Sequence, residues 1–280
     1  MKYIIILAIL CIYLYYESRV FKTQSYVLKS DKIKEPIKIV MLADLHNHVY
    51  GKENDVLLEA IDKEKPDIIL VAGDLIVAKP NKKLDVPIAL VNKLTEKYPV
   101  YYGIGNHEYR LKIYPEQYKT MYEDYMGAIK SDNLHLLDNK HEKVVIKNTP
   151  LNIFGLEIER EYYQRLVKKS LPIDYMDGLL GKINQEEYNI LLAHNPQYFK
   201  SYIKWGADLT LAGHIHGGLI RLPFLGGVAS PQVEFFPKYD GGMFQEDGKT
   251  MIISRGLGTH TINIRINNRA ELVSIQLTNE

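Results

Sequence analysis

The sequence predicts an α/β protein. Three observations carry this: strands that read as near-continuous apolar runs, helical stretches between them, and an abrupt change to polar residues where each strand stops. Strands covered on both faces lose the alternation of a half-exposed sheet. In order, "IKIVMLADLH" is a strand, followed by a helix over 54–65 with Val56, Leu57, Ala60 and Ile61 at helical spacing. "PDIILVAGD" is the next strand, then a helical stretch bearing Leu90, Val91 and Leu94, then the strand "YPVYYGIGNHE". "NILLAHNP" and "DLTLAGHIH" repeat the pattern. No internal repeat is present, and residues 37–280 read as one domain.

Ahead of these lies "YIIILAILCIYLYY", Tyr3 to Tyr16, with no charge. As a helix it would span about 21 Å, short of a hydrocarbon core of about 30 Å. Lys2, Val20 and Phe21 would lengthen it, and its tyrosines suit a membrane interface. No small-residue cleavage site follows, so residues 1–21 are expected to form an uncleaved single-pass anchor in the cell membrane. A buried helix and a signal peptide are the alternatives. Residues 22–36 would be a juxtamembrane linker. Arg19, Lys22, Lys29, Lys32 and Lys34 follow the segment, which by the positive-inside rule puts the catalytic domain on the cytoplasmic side.

With 280 residues, 46% apolar and 25% charged, the chain is globular, and a net charge of +1 gives no field that would favour nucleic acid. The single cysteine, Cys11, excludes an intrachain disulfide and leaves thiolate chemistry aside.

Ligands of open α/β sheets sit beyond the carboxyl ends of the strands. Those ends carry Asp44 and His46, Asp74, Asn106 with His107 and Glu108, His194, and His214 with His216. One aspartate after a strand is usually a helix cap. Five strand ends with the same chemistry are not explained by caps. In "GHIHGG", two imidazoles at i and i+2 of an extended segment would point the same way, and the glycines would let a ligand come close. Oxygen and imidazole donors suit two divalent ions such as Mn, Fe or Zn. Ions about 3.5–4 Å apart clamp a phosphoryl group and acidify a shared water.

The series "DLH", "GD", "GNHE", "AHNP" and "GHIH" resembles the calcineurin-like metallophosphoesterases, and "GHIHGGLIRLPFLGG", "FFPKYDGGMF", "SRGLGT" and "INNRAEL" resemble their membrane-anchored bacterial branch. The resemblance implies two packed mixed β-sheets flanked by helices. It also implies hydrolysis of a phosphodiester or pyrophosphate by a metal-bridging hydroxide. The branch is similar to enzymes acting on UDP-diacylglucosamine, so the substrate could be lipid-linked. Carried over by position, Asp44, His46 and His216 would hold one ion, Asn106, His194 and His214 the other, and Asp74 would bridge them. His107 would assist the leaving group, and Glu108 would make structural hydrogen bonds. Two positions depart from the pattern: Val77 stands where relatives place an aspartate that orients His107, and Ala78 where phosphoprotein phosphatases place an arginine. Leu219 replaces a common Gln. A nuclease of the same superfamily and a catalytically weak metal-binding scaffold are the alternative readings.

His48, His135 and His141 read as turn or strand-edge residues, while His260, after a glycine-rich turn, could face the site. The stretch 219–244 could line an apolar groove, and 159–172 reads as a solvated helix.

Overall fold

The computed structural model describes the chain except residues 165–168, 219, 223, 225, 229–235, 260–263 and 280. Its strands are β1 (Phe21–Lys29), β2 (Ile37–Leu42), β3 (Ile68–Ala72), β4 (Val100–Gly103), β5 (Leu134–Leu137), β6 (Lys140–Ile146) and β7 (Thr149–Leu156). They continue as β8 (Tyr188–Ala193), β9 (Leu209–Ala212), β10 (Arg221–Leu222), β11 (Gly226–Gly227), β12 (Gly242–Glu246), β13 (Lys249–Ile253) and β14 (Ala270–Thr278). The α-helices are α1 (Lys2–Glu17), α2 (Asp55–Glu64), α3 (Asp85–Thr95), α4 (Asn106–Ile113), α5 (Pro115–Tyr118), α6 (Met121–Ala128), α7 (Ile173–Leu180) and α8 (Phe199–Trp205).

Two mixed sheets form, in the orders β1-β14-β2-β3-β4-β5 and β12-β13-β9-β8-β7-β6. They pack face to face: Ile39, Met41 and Leu70 of the first share one core with Ile153, Ile190 and Leu211 of the second. On the outer face of the first sheet, Leu57 and Ile61 of α2 and Leu90, Val91 and Leu94 of α3 close a second core. Met176 and Leu180 of α7 and Tyr202 and Trp205 of α8 do the same for the second sheet. The five strands expected from apolar runs are β2, β3, β4, β8 and β9. Burial on both faces explains their composition. Val56 lies outside the buried stripe and is exposed, because Leu57 and Ile61 set the inward face of α2.

The N-terminus departs from expectation. No helix among the described residues is long and apolar enough to cross a membrane. Helix α1 has 16 residues, about 24 Å of rise against a core of about 30 Å. It stops at Glu17 because the chain turns at Ser18 and Arg19: Val20 and Phe21, which would have extended the span, lie beyond that turn, Phe21 as the first residue of β1. The expected membrane anchor is therefore corrected, and with it the localisation built on it. The expected linker over 22–36 contains most of β1, which runs parallel to β14 through nine paired residues. The end of α1 is tied to the domain, since Arg269 donates to the buried carboxylate of Glu17 and Tyr13 Oη lies 3.2 Å from the Asn267 amide. His260 and Leu219 fall outside the described residues.

Candidate metal centre

The parallel strands β2, β3, β4, β8 and β9 deliver their carboxyl ends to one rim, where the loops are stitched together by backbone bonds. The Asp44 amide donates to Gly73 O at 3.0 Å and the His46 amide to Asp74 O at 3.2 Å. The Asp74 carboxylate accepts from the His107 amide at 2.8 Å, and the Asp44 carboxylate accepts from the His214 amide at 3.0 Å. Each carboxylate is thus aimed before any ligand arrives.

Three groups of side chains have donor atoms close enough to share an ion: Asp44, His46 and His216; Asp74, His194 and His214; and His46, Asp74 and His107. Asp74 Oδ2 is 3.1 Å from His194 Nε2 and 3.9 Å from both His46 Nε2 and His107 Nε2. Asp44 Oδ1 is 3.4 Å from His216 Nε2 and 3.6 Å from His46 Nε2. Asn106 lines the same cavity. All the sequence-derived site residues therefore converge. Asp44, His46, Asp74, His107, His194 and His216 are buried, whereas Asn106 and His214 are partly open to the cavity.

The arrangement fits metal ions. His194 Nε2 lies beside Asp74 but makes no aligned hydrogen bond, and the buried side-chain oxygen of Asn106 makes none. His46 Nε2 and His216 Nε2 face each other at 3.1 Å. Buried polar atoms left this way cost free energy unless something binds between them.

Hydrogen-bond polarity separates the histidines. Nδ1 of His46, His194 and His216 meets the carbonyls of Ile76, Ala72 and Gly258 at 3.2, 2.7 and 3.2 Å. A carbonyl only accepts, so each Nδ1 carries the proton and each Nε2 is directed into the cluster. His107 is the reverse: its Nδ1 accepts from the Ala78 amide at 2.7 Å. In the neutral ring the proton then sits on Nε2, which makes His107 a donor towards the cavity. The orienting part expected of an aspartate at position 77 is taken by the next backbone amide.

The electrostatics follow from crowding. Burial would raise Asp44 and Asp74, but the surrounding histidines outweigh it and hold both carboxyls below the usual range, His216 acting most on Asp44 and His194 on Asp74. Burial would lower His194, yet Asp74 raises it to about 10, and the two carboxylates likewise raise His46. Burial and then repulsion from His194 bring His214 down to about 3. Burial also brings His216 to about 3.

The "GHIHGG" loop is not extended. His214 and His216 have φ of 73° and 54°, and Asp44, His46 and Asp74 are also left-handed, at 52°, 49° and 57°. Such a backbone costs about 1 kcal/mol or more in a non-glycine residue. The glycines serve the protein's own carboxylates: a Cβ on Gly213 would occupy the space of Asp44 Oδ2, and one on Gly105 that of Asp74 Oδ1.

Further residues support the site. Glu108 is fully buried and accepts from the amides of Asp74, Leu75 and Gly105 at 2.9, 3.0 and 3.2 Å and from Tyr102 Oη at 2.8 Å, as its structural role requires. The sequence reading did not find Arg265 and Asn268. Buried Arg265 donates to the carbonyls of Arg255, Gly256, Gly258 and Asn268, and Asn268 Nδ2 donates to His216 O at 2.7 Å. Gly258 O is also the acceptor of His216 Nδ1, so Arg265 fixes the orientation of that ring. Nor did it find Arg110, Arg160 and Tyr163, which line the cavity. The position of Arg110, three residues after His107 on α4, was a usable signal. His48 packs on Tyr50, His135 pairs with Glu142 and His141 stacks on Phe154, none of them in the metal-holding groups.

A family model described as calcineurin-like phosphoesterase matches residues 37–218. The chain is 28% identical over 278 residues to an uncharacterised metallophosphoesterase of Campylobacter jejuni, covering 97% of this chain and 68% of that one. It is 26% identical over 270 residues to the uncharacterised metallophosphoesterase YkuE of Bacillus subtilis (94% and 87% covered). It is also 25% identical over 248 residues to the phosphodiesterase YaeI of Escherichia coli (86% and 82% covered). A Staphylococcus aureus structure, provisionally named a 5′-nucleotidase, shares the fold with a TM-score of 0.51 at 12% identity over 80% of this chain and 49% of that one. The family match takes in every candidate ligand and His107, and on that ground the chain belongs to the calcineurin-like phosphoesterases.

Proposed function

We propose that this protein is a dinuclear metal-dependent phosphoesterase that cleaves a phosphodiester or pyrophosphate bond. The observation that carries the reading is the position of Asp74, whose carboxylate lies within reach of His46 on one side and His194 on the other. One ion would be held by Asp44, His46 and His216, the other by Asn106, His194 and His214, with Asp74 shared. When bound, two such ions polarise a phosphoryl group and supply a water acidic enough to act at neutral pH. The chain's own contribution is positional. The Nδ1 bonds hold the imidazoles of His46, His194 and His216 in one tautomer, and His107 Nε2 would present a proton to the leaving oxygen. The metals that suit this donor set are Mn, Fe or Zn.

A lipid-linked substrate is a narrower form of the same proposal. Its support is local: Ile220, Leu222 and Phe224 are exposed just beyond the histidine loop, and an apolar substrate group would cover them.

The test is hydrolysis of bis-p-nitrophenyl phosphate and of p-nitrophenyl phosphate, with and without Mn, by wild type and His107→Ala. Metal-dependent diester cleavage that falls about 100-fold or more without His107 is expected. Equal low activity in both proteins, with metal bound, would instead favour a binding scaffold.

A further inference from the structure

The cavity beside the candidate metal ligands, about 630 Å³, is also lined by Arg110 and Arg160. Helix geometry places the first. With about 100° per residue, Arg110 lies roughly 40° around α4 from Asn106, so the helix face that offers Asn106 and His107 offers Arg110 as well. The turn 160–163 after β7 brings Arg160 to the same cavity.

Each of these two arginines is held by a phenol and lies at the cavity. Elsewhere Arg221 pairs with Asp240, Arg255 with Glu271 and Arg269 with Glu17. Arg110 donates instead to Tyr118 Oη at 3.0 Å, while Arg160 donates to Tyr114 Oη and lies over its ring, 5.2 Å from the centroid. Among the described residues neither guanidinium has a carboxylate within ion-pair distance, although Glu116 lines the same cavity. Phenols hold the forks in place and leave their charge uncompensated. A guanidinium has five donors in a fixed plane, and each uses one of them on tyrosine, which leaves room for paired bonds to an oxyanion.

Resting on the phosphoesterase reading, we infer that Arg110 and Arg160 form a second anion subsite, specific for a substrate that carries another phosphoryl group besides the one hydrolysed. The reacting group sits at the metal ligands and the second phosphoryl group on the arginines. A P–O–P linkage and a distal phosphomonoester both present this chemistry, and the substrates below distinguish them.

Wild type, Arg110→Met, Arg160→Met and Arg110→Lys, all loaded with Mn, are assayed on four compounds. These are bis-p-nitrophenyl phosphate, ADP-ribose, dithymidine monophosphate, and the same dinucleotide bearing a 5′-phosphate. In the Met variants kcat/KM for a two-phosphate substrate should fall about 10- to 100-fold, mostly through KM, the scale of a lost charge-assisted bond. That fall should exceed the fall on bis-p-nitrophenyl phosphate at least tenfold, with partial recovery in Arg110→Lys. A selective loss on ADP-ribose identifies P–O–P, and one on the phosphorylated dinucleotide identifies a distal phosphate. Equal losses on one- and two-phosphate substrates, or none, overturn the inference. Equilibrium dialysis of ADP-ribose against protein in EDTA gives a readout without turnover, with binding about tenfold weaker in the Met variants. If wild type fails to cleave bis-p-nitrophenyl phosphate, the phosphoesterase proposal fails while the dialysis still reports on the arginines.

Discussion

The two halves of the centre are braced by opposite hydrogen-bonding roles, one group accepting and the other donating. The loops after β3 and β4 present amides inward, and the buried carboxyl of Glu108 collects four of them, those of Asp74, Leu75, Ile76 and Gly105. Arg255, Gly256, Gly258 and Asn268 present carbonyls, which the guanidinium of Arg265 collects, and the loop after β9 presents His216 O and Gly218 O, which Asn268 takes. A buried loop must satisfy every backbone group it carries, and the sign of the brace follows from which groups face inward. The difference also separates reach in sequence. Glu108 stands two residues from Asn106, whereas Arg265 stands 49 residues beyond His216.

Breaking the first brace should have the largest effect. In Glu108→Gln an amide NH₂ would face amide donors, so stability should drop by about 2–3 kcal/mol. On the proposal that Asp74 is shared, affinity for both ions should fall about 100-fold, the upper range for loss of an outer support. Chelator competition and thermal unfolding measure the two effects, and unchanged affinity would show that Glu108 braces the fold alone. Arg265→Met should act on one half: about tenfold weaker retention of the ion beside His216, with the other retained, so that limiting chelator leaves one equivalent. Equal loss of both ions would erase the distinction between the halves.

The smallest effect is a proton count. His46 and His194 are raised by their carboxylates, His194 to about 10, while His214 and His216 are held near 3. At pH 7 the metal-free protein therefore keeps His194 as the imidazolium, while His214 and His216 are neutral. Coordination needs neutral imidazoles, so loading should release about one proton, that of His194. Titration calorimetry in buffers of different ionisation enthalpy reads this directly, and no release would show that the carboxylates do not hold that ring charged. The sign for stability is the usual one for a raised histidine: the metal-free gain is full below the unfolded value near 6.5 and is lost as pH rises through the folded values.

Much of this was readable in the sequence, for identifiable reasons. Strands β2, β3, β4, β8 and β9 are unbroken apolar runs because both faces are buried, and the polar residues ending them are side chains with unmistakable chemistry. The spacing argument for His214 and His216 expected an extended strand, whereas a left-handed turn presents them beside Asp44 and Asp74. Helix α1 was misread because hydropathy marks an apolar run but not where the chain turns out of it at Ser18. Arg265 was invisible for a deeper reason: its partners are backbone carbonyls, which have no letter in a sequence. Arg110 could have been found by counting around α4.

The left-handed backbone at Asp44, His46, Asp74, His214 and His216 has a consequence for how such a chain can change over time. At each of these positions glycine is the conformationally relaxed choice, so the side chains that would do the chemistry are the ones the backbone least favours. Glycine would relieve that strain at His214 or His216, but at Asp44 and Asp74 it would strand the buried amides of His214 and His107, so the two carboxylates are held in place by the backbone as well as by any ion.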